Sequence, residues 1–146
     1  MEDSIECCQW LEKTFKKEGN PLCPDDDFTA TMITVMVKDF KKKLVVPCES
    51  LLKNQDPTKD ADLSKQINKG LIFFNDILTS RKISYKQPFY GGASFSLFEV
   101  LIAPFLDRLR YVLLHYRGFD IMNSYFVSIN IWMNAVDEHP SFVATR

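Results

Sequence analysis

Apolar residues recur at the three- and four-residue spacing of an α-helix along almost the whole 146-residue chain. No segment shows a convincing alternation of apolar and polar residues, which a strand buried on one face would require. An all-α fold is therefore predicted. A chain of this length buries about two-thirds of the surface that its unfolded form exposes, so it needs neither disulfides nor a metal ion to hold one compact core.

The net charge, the longest apolar run and the first residues of the chain indicate the cellular environment of the protein. A formal net charge of −1 argues against binding to nucleic acid or to an anionic membrane, because both require a clear excess of Lys and Arg. The run Lys41–Lys43 is short and flanked by acids, so we interpret it as a solvated helix face. The longest apolar run, Val100–Leu106, is far shorter than the ~20 residues that span a bilayer. Acidic residues replace the basic start of a secretory signal, and we expect a cytoplasmic protein.

Cysteine and histidine residues give no sign of a metal site or of a catalytic pair. The four cysteines are Cys7, Cys8, Cys23 and Cys48. They form no C-x-x-C pair and have no histidine at zinc-ligand spacing, so we expect reduced thiols that pack as small apolar groups and no bound metal. His115 and His139 have no Ser or Cys partner at a recognisable spacing, and helix packing is predicted for His115 and a loop contact for His139.

The first half of the chain predicts three amphipathic helices. The opening helix runs from Ser4 to about Lys17, with an apolar stripe at Ile5, Cys8, Leu11 and Phe15, and Gly19-Asn20-Pro21 ends it. A segment rich in Pro and Asp follows and divides the chain into residues 1–20, a linker 21–27 and a helical domain 28–146. Pro47 should end or kink the second helix. A third helix carries Leu63, Ile67, Leu71, Phe74, Ile77 and Leu78 on one face.

A turn-rich loop and a buried helix dominate the second half. Pro88–Phe95 contains two glycines, Gly91 and Gly92, that are free to adopt positive φ. Ser96 and Glu99 then have the spacing of a capping box, in which each side chain accepts the other residue's backbone N–H. The run Val100–Leu106 is apolar on every face, which predicts a central buried helix, although Pro104 should disrupt one turn. A last helix carries Ile129, Trp132, Met133 and Val136 and should stop near Pro140.

Taken in chain order, these helices, the loop and the capping box resemble the glutathione transferase superfamily, and most closely its omega and dehydroascorbate-reductase-like branches. The strongest part is Phe89–Val100 followed by Ala103–Leu109, which is similar to the family's "FGG…S-x-A-D…AP-F…L" pattern. In that family the pattern marks the buried central helix of the all-helical C-terminal half. Phe98 stands where a small residue is usual, and Glu99 replaces the usual Asp.

The beginning of the chain resembles a second family motif. The segment Asp3–Glu12 is similar to "(E/Q)-S-x-x-I-C-x-Y-L-E", which opens the last helix of the family's thioredoxin-like N-terminal half. The resemblance implies that Asp3 and Ser4 hold the γ-glutamyl end of glutathione, because a helix N-terminus favours a carboxylate and an acid can pair with the α-ammonium. Taken alone, Asp3-Ser4 reads as an N-cap pair.

The resemblance implies a helical bundle preceded by one extra helix, with the thioredoxin-like sheet missing. The residue that activates the thiol belongs to that sheet-containing half, so we expect the chain to be inactive by itself. It would be the co-substrate-pocket and dimer-forming part of a glutathione-dependent transferase or thiol transferase. Phe40, Leu44 and Tyr111 are candidates for the pocket wall, although core packing is the other reading. Expected partners are the missing half and a second copy of the chain.

A different class of function also fits the sequence. The same helical fold resembles non-enzymatic interaction modules of the translation-factor and synthetase-scaffold type. In an intact parent protein, the apolar stripe of the first helix would pack against the missing sheet. Its exposure predicts self-association, exchange of this helix between copies, or its collapse onto the bundle.

Overall fold

The computed structural model describes residues 4–15, 22 and 27–145, and the regular structure within them is helical. Its α-helices are α1 Ser4–Thr14, α2 Asp27–Phe40, α3 Val46–Lys53, α4 Asp60–Ser80, α5 Leu97–Arg117, α6 Val127–Glu138 and α7 Pro140–Val143. A π-helical segment, Lys41–Val45, joins α2 to α3, and a 3₁₀ turn, Pro57–Lys59, precedes α4. The described residues form only isolated antiparallel bridges, Ser84 with Gln87 and Phe89 with Gly92, and no strand. The predicted all-α fold class is confirmed.

Helix α1 is tied to the rest of the bundle by hydrogen bonds that pass through Leu22. The Leu22 N–H donates to the Glu12 carboxylate at 2.8 Å, and the Leu97 N–H donates to the Leu22 carbonyl at 2.9 Å. The Gln9 amide also donates to the Thr34 hydroxyl of α2 at 2.9 Å. Most of the predicted linker 21–27 lies outside the described residues, so the division into 1–20, 21–27 and 28–146 stays a prediction.

Pro47 marks a change of helix type. The chain stays helical from α2 through the π segment into α3, and Pro47 lies in the first turn of α3. The Val46 N–H donates to the carbonyl of Lys41, five residues back, as in a π-helix. Proline has no N–H for the Lys43 carbonyl four residues before it, and the first turn of a helix is where that loss costs least. The sequence predicts that Pro47 ends or kinks the second helix; the helix does not end there, and the local change is the π segment just before Pro47.

At Gly70, the backbone of helix α4 packs directly against the backbone of the π segment. A Cβ at Gly70 would lie 2.3 Å from the carbonyl oxygen of Lys43 and 3.0 Å from the Cα of Leu44. Real Cβ atoms do not come that close to backbone atoms, so only glycine fits. Gly70 therefore sets how tightly these two elements pack.

Helix α5 lies at the centre of the bundle, as its composition predicts. Leu101, Ile102, Ala103 and Leu106 are buried, whereas Pro104 is exposed. The prolyl ring removes one backbone donor but displaces no core side chain, and α5 runs continuously past it. The turn that was expected to be disrupted therefore stays helical.

The remaining core comes from the stripes of α4 and α6. In α4, Ile67, Leu71, Phe74 and Leu78 are buried, and Leu63 and Ile77 pack against the core at partial burial. In α6 the four predicted residues, Ile129, Trp132, Met133 and Val136, are buried. Phe74 joins these layers, since its ring centroid lies 5.0 Å from Phe40 and 5.5 Å from Trp132. Both stripe predictions are confirmed.

Candidate functional site

The residues expected to hold glutathione fall at the edge of the described chain. Asp3 lies outside the described residues, and of Ser4 only the backbone is described, as the first residue of α1. Ile5, directly after it, is buried, and Cys8 packs against the core at partial burial. The start of α1 is therefore anchored in the bundle.

The far end of α1 carries an open apolar surface. Trp10, Leu11 and Phe15 are 51%, 49% and 46% exposed, respectively. The rings of Trp10 and Phe15 meet edge to face, with centroids 6.4 Å apart. We call these three residues the α1 patch. Leu11 and Phe15 belong to the stripe that was predicted to face a missing sheet, whereas Ile5 and Cys8 of the same stripe pack into the bundle.

The three residues proposed for a co-substrate pocket wall do not share one surface. Phe40 and Leu44 are buried in the core, and Phe40 packs on Phe74. Tyr111 lies on α5, is 57% exposed and has the Arg110 guanidinium 4.8 Å from its ring centroid. Phe40 and Leu44 thus lie in the interior, and Tyr111 lies at the protein surface.

A cluster of two cations and one aromatic ring lies on the same helices. The Lys41 Nζ is 5.0 Å from the centroid of Phe105, and the Arg108 Cζ is 5.8 Å from the same centroid. Both distances are in the range of a cation–π interaction. Lys41 and Phe105 are partly buried and Arg108 is exposed. We call Lys41, Phe105 and Arg108 the cation–ring cluster.

Sequence reasoning missed this cluster. Lys41 was assigned to a solvated run and Phe105 to a uniformly apolar helix, and 64 positions of sequence separate the two residues. Spacing on α5 could have paired Phe105 with Arg108, because residues three apart are neighbours on a helix. Lys41 joins this pair only because the π segment packs against α5, which the sequence does not reveal.

The predicted capping box at the start of α5 is present and extends into a larger network. The Ser96 N–H donates to Oε2 of Glu99 at 2.9 Å, and the Ser96 hydroxyl accepts the Phe98 N–H at 3.3 Å and donates to Oε2 at 2.5 Å. Oε1 of Glu99 accepts the Tyr90 N–H at 2.7 Å and the Trp132 Nε1–H at 2.9 Å. Glu99 is fully buried, so this carboxylate is a structural centre with no route to a substrate.

Arg110 joins α5 to α6 by paired charges. Its guanidinium donates to both oxygens of Asp137 at 2.7 Å, and to Asp107 at 2.6 and 3.1 Å. Burial acts to lower the pKa of Arg110, but the hydrogen bonds to Asp137 and Asp107 outweigh it and raise that pKa above its usual value. Arg110 therefore stays charged and holds both acids in place.

Two of the described thiols have raised pKa values. Burial, and next the charge of Cys7, raise the pKa of Cys8. Burial, and next the charge of Glu49, raise the pKa of Cys48 to about 12. A reactive thiol needs a lowered pKa, so neither Cys8 nor Cys48 is set up as a nucleophile. Cys23 lies outside the described residues.

The two histidines have different surroundings. His139 stacks on Phe95 with centroids 4.1 Å apart, and its buried Nδ1 has no hydrogen-bond partner among the described residues. His139 thus makes the loop contact that was predicted for it. His115 is exposed in the last turn of α5, where its ring contacts the adjacent Tyr116, and not in the helix packing that was predicted for it.

A cleft of about 540 Å³ opens between the 84–89 turn and the end of α6. Phe89, Ile131 and Ala135 supply apolar lining, and Asn134, Glu138 and His139 supply polar atoms. None of the site residues predicted from sequence lines this cleft. Within residues 4–15, 22 and 27–145, no group of His, Cys, Asp and Glu side chains is arranged to hold a metal ion. No described helix combines the length and apolar character needed to cross a bilayer.

Comparisons with known proteins agree with this architecture. The family described as "Glutathione S-transferase, C-terminal domain" matches residues 43–141. Glutathione S-transferase omega-1 of Sus scrofa is 23% identical over 142 residues, which are 97% of this chain and 54% of that protein.

Two solved structures have the same fold over nearly the whole chain. The first is glutathione transferase Omega 3C from Trametes versicolor, with a TM-score of 0.80 and 25% identity, covering 100% of this chain and 62% of that one. The second is the Tau class glutathione S-transferase MiGSTU from the mango Mangifera indica, with a TM-score of 0.82 and 16% identity, covering 97% of this chain and 63% of that one. The chain thus spans between 54% and 63% of the length of these relatives. On the match over residues 43–141, this chain belongs to the glutathione S-transferase family and carries its C-terminal helical domain.

Proposed function

We propose that this chain is the co-substrate-facing and dimer-forming part of a glutathione-dependent transferase or thiol transferase, and that it has no such activity by itself. The observation that carries the proposal is the α1 patch. Trp10 and Leu11 lie near the C-terminal end of α1, Phe15 directly follows that helix, and each of the three is about half exposed. Large apolar side chains grouped in this way on a soluble domain mark a surface that another structure covers.

The occupant that fits best is a thioredoxin-like half. The chain spans 54% of the length of the omega-1 relative from Sus scrofa, so that relative has room for a further domain. Helix α1 is bound to α2 through Gln9 and to the start of α5 through Leu22, and it would present the α1 patch at a fixed angle. Residues 1–20 would then belong to the missing half, residues 21–27 would link the halves, and residues 28–146 would form the helical domain.

Glutathione would be held at the start of α1. Asp3 would pair with the α-ammonium of its γ-glutamyl end, and Ser4 would hold the carboxylate at the helix N-terminus. Conjugation or thiol transfer also needs a group that activates the thiol, and we place that group in the missing half. The raised pKa values of Cys8 and Cys48 support this, because burial keeps both thiols protonated at neutral pH.

The remaining contributions of the chain follow from its helices. Phe40 and Leu44 would stabilise the co-substrate wall from inside the core, and Tyr111 would face the pocket. We place the enzyme in the cytoplasm, and we expect it to be a homodimer. The apolar α1 patch also explains why the chain without its other half would associate with itself.

The test is a comparison of three purified proteins. These are the chain alone, a thioredoxin-like half from an omega-class glutathione transferase alone, and the same half, cut before its own last helix, fused ahead of Met1. Calorimetry with glutathione and a thiol-transfer assay measure binding and turnover. We expect activity only in the fusion, and weaker glutathione binding when Ser4→Ala is introduced there. Turnover by the chain alone would contradict the proposal. A folded fusion that gains nothing over the free half would favour a non-enzymatic interaction module.

A further inference from the structure

We propose that the cleft between the 84–89 turn and the end of α6 binds a protonated amine that carries a compact apolar body of one or two rings. We call it the α6 cleft. This inference goes beyond the proposed function, because none of the residues assigned to glutathione or to the co-substrate lines the cleft. Its basis is the volume, the aromatic lining and the charge of the cleft.

The α6 cleft has the volume and the lining of a small-molecule site. Its volume of about 540 Å³ lies within the range of about 300–1,000 Å³ that is typical of ligand pockets. Apolar side chains line it from both sides, Pro88 and Phe89 from the turn and Ile131 and Ala135 from α6. An apolar body that enters the cleft leaves water for these side chains, which favours binding.

Three packed rings hold one wall of the α6 cleft in place. Phe89 is buried and meets Phe95 edge to face, with ring centroids 5.4 Å apart. The ring of His139 stacks on Phe95 at 4.1 Å and meets Phe89 edge to face at 6.0 Å. Two backbone hydrogen bonds between Ser84 and Gln87, at 3.1 and 3.0 Å, close the turn. The wall is thus formed without a ligand, which lowers the cost of binding one.

The charge of the cleft favours a cation. Its lining, all of it within the described residues, includes two acids, Asp137 and Glu138, and no Lys or Arg. Arg110 donates to both oxygens of Asp137 at 2.7 Å, so the charge of Asp137 is neutralised within the protein. Glu138 is exposed, and in the part of the chain that the structure describes it has no ion-pair partner. One unneutralised carboxylate therefore lies at an apolar cleft.

Three neighbouring features suit an ammonium group in particular. Glu138 is the last residue of α6, and a helix C-terminus carries a partial negative charge that favours cations. Asn134, one turn earlier, has an amide oxygen that can accept an N–H. Tyr85 is 86% exposed at the cleft, and the face of its ring attracts a positive charge. An amine would supply both the charge and the N–H donors.

Two other classes of ligand match the α6 cleft less well. An anion would meet no cationic side chain in the lining, since Lys86 of the same turn does not line the cleft. A metal ion needs several ligands, and the described residues contain no group of His, Cys, Asp and Glu that is arranged to hold one. The amine is thus the class that the lining favours.

Three indole compounds of similar size and different charge provide the test. At neutral pH tryptamine is a cation, tryptophol is neutral and indole-3-propionate is an anion. Each is titrated against the full 146-residue chain and followed by amide NMR shifts. We expect tryptamine to bind about fivefold more tightly than tryptophol, and indole-3-propionate to bind more weakly than either. The shifts caused by tryptamine should be largest around Phe89, Asn134 and Glu138.

Two variants separate the contribution of the carboxylate from that of the ring. Glu138→Gln should abolish the preference for tryptamine over tryptophol and leave the affinity for tryptophol unchanged. Tyr85→Ala should weaken the binding of both compounds, because it removes apolar contact area that both would use. The matched control, Asp62→Asn, removes an exposed acid at the opposite end of α4 and should leave all three affinities unchanged.

The proposal is overturned if the wild-type chain binds tryptamine and tryptophol equally. A preference for tryptamine that persists in Glu138→Gln, shown by circular dichroism to be folded, would overturn it as well. So would shifts confined to α1, because they would place the compound on the α1 patch. None of these measurements uses the fusion protein, so an inactive fusion would contradict the proposed function and leave the amine site in place.

Discussion

The indole of Trp132 in α6 donates a 2.9 Å hydrogen bond to the fully buried carboxylate of Glu99 in α5. The same carboxylate accepts the backbone N–H groups of Tyr90 and Ser96. A buried carboxylate is tolerated only when its oxygens are paired, and here each oxygen has partners. Glu99 therefore holds the 88–95 loop, the start of α5 and the middle of α6 in one arrangement.

Replacing Glu99 should be strongly destabilising. Glu99→Leu would leave the Tyr90 N–H and the Trp132 Nε1–H without an acceptor, and we expect a loss of at least about 3 kcal/mol in the free energy of unfolding. Glu99→Gln keeps one acceptor oxygen and should lose less. Urea unfolding followed by tryptophan fluorescence measures both variants, with the exposed acid Glu138→Gln as control. Equal midpoints for wild type and Glu99→Leu would contradict the assigned network.

The N-cap of α5 should contribute a smaller amount. Ser96→Ala removes the hydroxyl that accepts the Phe98 N–H and contacts Glu99, and we expect a cost of about 1 kcal/mol. Thermal unfolding by circular dichroism measures it, and Ser94→Ala in the exposed bend of the same loop is the matched control. The prediction fails if the two variants unfold at the same temperature.

Gly70→Ala should destabilise the protein although alanine is the better helix former. In a free helix interior this change gains about 1 kcal/mol, but here the new Cβ would meet the Lys43 carbonyl oxygen at 2.3 Å. Forcing the two elements apart should cost about 1–3 kcal/mol net. Lys69→Ala, at the exposed neighbouring position, should change the urea midpoint little. A midpoint that rises in Gly70→Ala would show that the elements separate freely.

Cys48 should make the fold less stable at alkaline pH. Its pKa is about 12 in the folded chain against an ordinary value of 9.0, so the unfolded chain releases this proton first. Stability is then unaffected below pH 9 and falls as pH rises from 9 towards 12. The loss traceable to Cys48 should be about 2 kcal/mol at pH 10.5, because each pKa unit is worth about 1.4 kcal/mol.

Comparison of two variants isolates this effect. Cys48→Ala should show a smaller drop in the free energy of unfolding between pH 7.5 and 10.5 than the wild type. Cys7→Ala, which removes a partly exposed thiol of α1, should keep the wild-type slope. Identical slopes in all three proteins would mean that the Cys48 thiol is accessible to solvent.

The α1 patch should drive self-association of the chain. Leu11→Gln/Phe15→Gln removes apolar surface without changing charge, and we expect the dissociation constant of the associated species to rise at least tenfold. Sedimentation at several concentrations measures it, and Lys13→Gln on the exposed side of the same helix is the control. If both variants sediment like the wild type, the chain associates through a different surface.

Helical periodicity was sufficient to predict the core. The apolar stripes of α4 and α6 are buried as their spacing predicts, and so is the uniformly apolar part of α5. This prediction works because burial of an apolar face is the main local determinant of these helices. The capping box was also predictable from local sequence, because its two residues are only three positions apart. The π segment was not, because its packing involves a contact of Lys43 and Leu44 with Gly70, which lies on another helix and far along the chain.

The candidate site was less predictable than the core. Phe40 and Leu44 were named from their apolar character, and that character places them in the interior. Lys41, next to them, reaches the surface beside Phe105 only after the π segment packs on α5. Contacts between residues distant in sequence carry no local signal, so the cation–ring cluster needed the three-dimensional arrangement.

The contact at Gly70 also restricts where this domain can change in length. Inserting or deleting one residue in the first half of α4 would bring Lys69 or Leu71 against the Lys43 carbonyl, and neither side chain has room there. Changes in length should therefore be tolerated better in the connections between helices than in this half of α4.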